Sequence, residues 1–146
     1  MRTVVFALLF ALVSLGAACS DAVGPAERAL DGPWSTGHTT TGFDMAVNLT
    51  WTRDHVAGSG SYSAAADGAR CGTTAIAGAS SVTFAAARRG SSDVHGQLTF
   101  GGGAQIEYDG ILNDAQQSPG FARINGTLIA ADGTRCSLTL FQGFVP

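Results

Sequence analysis

The residues of this chain with chemistry to offer are three histidines, eleven acids and a few hydroxyl and glycine motifs. Their spacing decides whether they offer it. His38, His55 and His95 lie far apart, the first two in turn-like stretches and the third in an extended run. His95 alternates with Val94, Gly96 and Leu98, so its side chain is expected in water rather than in a metal shell. Glu107 and Asp109 share a strand face two residues apart, which is how a carboxylate pair looks. Ile111 continues that face, so a mixed outer surface fits better than acid/base work. Ser59, in Gly58-Ser59-Gly60-Ser61, sits inside a strand pattern and lacks the strand-to-helix elbow of a nucleophilic serine. Gly101-Gly102-Gly103 opens no helix and therefore cradles no phosphate. Arg88-Arg89 reads as a solvated turn pair, with anion binding as the sharper alternative. No constellation supports catalysis, a metal or a cofactor, and the chain is read as a non-enzyme.

The elements that carry these residues begin after a leader. Arg2 precedes an apolar run from Val4 to Val13. That run is shorter than the roughly 20 residues a spanning helix needs, and it fits a secretory h-region. Small residues then lead to Cys19. The stretch Leu15-Gly16-Ala17-Ala18-Cys19 resembles the lipobox of bacterial lipoproteins, with Gly16 standing where that family has leucine. The resemblance implies a lipid on Cys19, attachment to a membrane and, with Ser20 following, sorting to the outer membrane facing the periplasm. Ordinary signal-peptidase cleavage near Ala18 is the alternative. The expected organisation is a signal peptide over 1–18, a tether over 19–31 and a folded domain over 32–146.

Eight Lys plus Arg, all Arg, face eleven Asp plus Glu. With no basic patch, nucleic acid is not an expected partner. Cys71 and Cys136 remain as an even pair, expected as a disulfide in an exported chain; two free buried thiols are the alternative.

Within the domain, Phe43, Met45, Val47, Leu49 and Trp51 recur at every second position. Period two predicts a half-buried strand. Further extended runs follow over 56–66, 69–77, 81–87, 93–100, 105–112, 121–130 and 134–142, separated by Gly-rich or Asp-Gly turns. No segment carries a sustained helical period. The fold class is all-β, an antiparallel meander. Glycines recur at one place in successive strands, at Gly96, Gly110 and Gly126, and more loosely at Gly58. In-strand glycine permits sharp coiling, so closure into a barrel of about eight strands is expected over a sandwich. Eight requires 34–53 to form one kinked strand; separate strands there would give nine. Few aromatics and no aromatic girdles favour a soluble barrel over a membrane-spanning one.

Gly32-Pro33-Trp34 followed by this meander resembles the calycins, the lipocalin and avidin group, in which Gly-x-Trp opens an up-and-down barrel. The resemblance implies an arginine across that tryptophan: Arg123 for eight strands, Arg135 for nine. Trp34 and Arg123 are the expected barrel-closing pair. Small bacterial inhibitors of secreted metalloproteases offer a second resemblance, a similar barrel with one disulfide. The inner face would include Met45, Leu49, Trp51, Phe84, Leu98, Tyr108 and Leu138. Those residues either line a mouth that holds a small apolar ligand or simply fill the core. The expected function is accordingly that of a lipid-anchored envelope protein. It either binds such a ligand or, solid inside, acts on an envelope protein or other partner through its loops.

Overall fold

The computed structural model describes residues 29–36, 42–65, 68–113 and 122–143. The leader 1–18, Cys19, most of the tether and His38 lie outside them. The described residues form ten strands: β1 (Gly32–Thr36), β2 (Phe43–Trp51), β3 (His55–Ala64), β4 (Ala69–Cys71), β5 (Thr74–Ile76), β6 (Ala79–Arg89), β7 (Asp93–Phe100), β8 (Gln105–Asn113), β9 (Arg123–Ile129) and β10 (Arg135–Gln142). Eight of them close into a barrel in the order β1-β10-β9-β8-β7-β6-β3-β2, and β4 with β5 makes a separate two-stranded sheet. Every neighbouring pair in the wall is antiparallel.

The all-β barrel of eight strands matches the sequence expectation, but its membership does not. Residues 34–53 are not one kinked strand. β1 and β2 pair antiparallel, Trp34 opposite Val47, and β1 closes the wall by pairing Trp34 with Gln142 of β10. The count stays at eight because 69–77 leaves the wall. It folds back on itself, Ala69 opposite Ile76, around a two-residue turn at Gly72 and Thr73.

Alternation does the rest. Along β8, Ile106, Tyr108, Gly110 and Leu112 are buried while Gln105, Glu107, Asp109, Ile111 and Asn113 are exposed. Water is removed from one side of each strand, and a one-residue slip would turn every apolar group outward. The inward set forms one continuous core.

The in-strand glycines also face inward, and each stands where a neighbour occupies the space of a side chain. A methyl on Gly58 would strike the Asn48 carbonyl, and one on Gly60 the Ala46 carbonyl. On Gly110 it would lie 2.8 Å from Ile124 Cγ2 and 2.9 Å from Tyr108 Cε1. The wall therefore coils more tightly at these points than any side chain would allow.

Strand directions assign the two ends. The chain enters and leaves at one end, here the near end, which also carries the 52–54 and 90–92 turns. The far end carries the β4–β5 hairpin and the turns before β8 and β10.

Candidate functional site: the barrel interior, its two ends and its outer wall

All eight wall strands send side chains into the interior, and the expected lining residues come from β2, β6, β7, β8 and β10. All seven expected lining residues lie there, Met45, Leu49, Trp51, Phe84, Leu98, Tyr108 and Leu138, each no more than 2 % exposed. They belong to one continuous buried core. Phe84 and Tyr108 meet edge to face with ring centroids 5.4 Å apart. The Tyr108 ring covers Gly110 and Gly126, and its hydroxyl lies 3.3 Å from the carbonyl oxygens of both Ile124 and Leu138. Burial pushes the Tyr108 hydroxyl well above the ordinary tyrosine pKa, because a phenolate there would lose its hydration. The polar tip is thus satisfied inside the barrel and is in no state to act as an acid or base near neutral pH.

The near end is plugged by an aromatic stack. Trp34, fully buried on β1, donates its indole N–H to the Leu30 carbonyl at 2.9 Å. Its ring lies 5.6 Å from that of Trp51, and the Arg88 guanidinium sits 5.4 Å above the Trp51 centroid. Arg88 also donates to the carbonyls of Thr52 at 2.8 Å and Ser91 at 3.1 Å. Two tryptophans bury about 150–250 Å² each, on the order of 4–6 kcal/mol apiece as an upper estimate. Leu30, expected in the tether, is 4 % exposed and belongs to this plug. Asp31 accepts the Trp51 amide at 2.7 Å, and the Ala29 carbonyl accepts from Gln142 at 2.6 Å. The packed domain therefore includes Ala29–Asp31.

An arginine does cross a tryptophan here, but it is Arg88 on Trp51. Arg123 is exposed at the start of β9, outside the wall, because Ile124, Gly126 and Leu128 take the inward positions of that strand. Arg135 is outward for the same reason. Arg88 follows Val82, Phe84 and Ala86 at inward spacing, and this parity was the available signal. Arg88 and Arg89 end β6 rather than forming a turn.

At the far end, Cys71 and Cys136 form a disulfide. It ties β4 to the start of β10. Beside the hairpin, the rim between β2, β3 and β6 holds an open recess of about 450 Å³ with Met45, Tyr62, Asp44 and Ser80 in its lining. Of the seven expected lining residues, only Met45 reaches it.

The outer wall of β7 to β10 carries the titratable cluster. Asp109 lies 3.5 Å from His95 Nδ1 and 3.8 Å from Arg135, all about half exposed. Glu107 is on the same face. Ile111, 56 % exposed, sits beside them in a shallow groove of about 510 Å³. Exposed pairs at these distances are worth at most about 1 kcal/mol. Among the described residues no group of three His, Cys, Asp or Glu is arranged to hold a metal ion. His55, expected in a turn, instead opens β3 opposite Ala87 and is exposed.

The architecture is compatible with a calycin-like barrel. No family model, no curated protein and no solved structure matches this chain.

Proposed function

We propose that this chain is an exported, lipid-anchored envelope protein that acts as an interaction module, meeting its partner through the outer wall and the turns. The observation that supports this reading is the burial of the interior: the residues that would line a ligand pocket are each at most 2 % exposed and lie in one continuous core. It is read as a binding partner and not as a catalyst. Mass spectrometry of the membrane fraction tests the anchor, which requires diacylglycerol on Cys19; an unmodified Cys19 on the mature chain defeats it. Native mass spectrometry after gentle extraction tests the rest. A protein complex without a small-molecule adduct is expected, and a stoichiometric apolar adduct would reverse the reading.

The second reading, a small apolar ligand at the mouth, is favoured by the rim recess beside Met45 and Tyr62. Its volume falls within the roughly 300–1,000 Å³ of small-molecule sites.

A further inference from the structure

The β4–β5 hairpin is attached to the barrel unlike any other strand pair. It forms its own sheet and joins no ladder of the wall. Its base is pinched by the Ala64 amide donating to the Gly78 carbonyl at 2.8 Å. Gly68 and Gly78 flank it with φ near +75°, a conformation in which glycine turns without strain. Its inner side sends Ala69, Cys71 and Ile76 into the core that also contains Tyr62, Phe100 and Leu128. Its tip is fastened twice: by the disulfide to Cys136, and by the Asp132 carboxylate, which accepts the Thr73 amide at 2.9 Å.

We propose that this hairpin is a strap over the far end, hinged at its base and locked at its tip, and that reduction of Cys71–Cys136 by a dithiol unlocks it to uncover a site for a small apolar ligand. Cys136 is less buried than Cys71, so the attacking thiolate meets the Cys136 sulfur. The Cys71 sulfur leaves and takes up a proton. The second thiol of the reductant then resolves the mixed disulfide, leaving two cysteine thiols and one oxidised dithiol, a two-electron exchange. The carbonyls of Leu128 and Thr134 lie 3.8 and 3.7 Å from the Cys71 sulfur and accept its new S–H bond. The closed position is thus still favourable after reduction, and the freed strap exchanges between closed and open. The core that its inner side joins is apolar there: Tyr62, whose hydroxyl donates to the Ala77 carbonyl at 3.2 Å, meets Phe100 edge to face at 4.8 Å. This goes beyond the interaction module proposed above and does not depend on the lipid anchor.

Hydrogen exchange on the full chain, before and after dithiothreitol, tests the strap. Cys71→Ser/Cys136→Ser provides a thiol-free equivalent, and 1-anilinonaphthalene-8-sulfonate probes the floor. The amides of 69–76 should exchange roughly 100-fold faster once the bridge is gone, while those of β7, β8 and β9 keep their protection. Dye fluorescence should rise and saturate. Unchanged exchange in 69–76 overturns the proposal, since packing alone would then hold the strap. Loss of protection throughout the wall, or failure of the double variant to fold, also overturns it and makes the bridge a staple of the whole barrel. An opened strap without dye binding removes the ligand site.

Discussion

Gly126→Ala should destabilise the barrel, although alanine is ordinarily the better strand residue. At an unobstructed position, relieving glycine's backbone entropy gains about 0.5–1 kcal/mol. At Gly126 the added methyl overlaps the ring and hydroxyl of Tyr108. That ring is fully buried, bounded by Phe84 on one side and held at its tip by the Ile124 and Leu138 carbonyls. Displacing it costs about 1–3 kcal/mol of overpacking. Loosening its hydroxyl bonds adds about 1 kcal/mol. The expected net loss is roughly 1–3.5 kcal/mol. In a Tyr108→Leu background the methyl enters vacated space, so the same change should be neutral or stabilising. The two substitutions should then couple by at least about 1 kcal/mol, outside ordinary additivity. Urea titration followed by fluorescence of Trp34 and Trp51 reads both, as a shift of midpoint at constant slope. A Gly126→Ala midpoint at or above the parent's, or equal losses in both backgrounds, would refute the packing of Tyr108 over Gly126.

The remaining predictions concern the ends and the core hydroxyl. Arg88→Lys keeps the charge but loses the forked contacts to Thr52 and Ser91; thermal unfolding should show a loss of about 1–3 kcal/mol, whereas Arg123→Lys should change it by less than about 0.5. Tyr108 has its pKa raised on folding, so its contribution to stability is complete below the ordinary tyrosine value and falls as pH rises past about 10. Phenolate absorbance from one of the two tyrosines should therefore appear only together with unfolding. Asp132 is held below the usual carboxylate range, first by its bonds to Thr134 and then by the Thr73 amide. That contact is complete above the ordinary aspartate value and is lost as pH falls below it, so the Thr73 amide resonance should titrate below about pH 4.

The wall was legible because a half-buried strand writes its burial directly into the sequence as period two, as β2 does and as β8 does apart from the outward Ile111. The tight coiling was legible from glycines recurring at inward positions. The hairpin was not, because Ala69–Ala77 looks like a strand in composition. What separates it is the Gly72-Thr73 pair at its middle, a two-residue turn that reverses the chain. Arg88 reads as half of a solvated turn pair because a charged pair at the end of a run suggests solvent, yet its parity with Val82 and Phe84 points inward. The interior resisted a decision for a different reason. Apolar residues that line a cavity and those that fill one have the same period and type; only their mutual distances distinguish the cases.

The joint between β1 and β10 has a mechanical consequence. Among the described residues it is the shortest in the wall, three facing residues against seven to nine between β3, β6, β7, β8, β9 and β10. The strands run antiparallel and their outer ends meet where the Gly143 amide donates to the Pro33 carbonyl at 2.8 Å. Tension applied between the two ends would load these bonds one after another, like a zip, instead of all together. A barrel tethered at one end only is spared that load, whereas one gripped at both would peel open along this line.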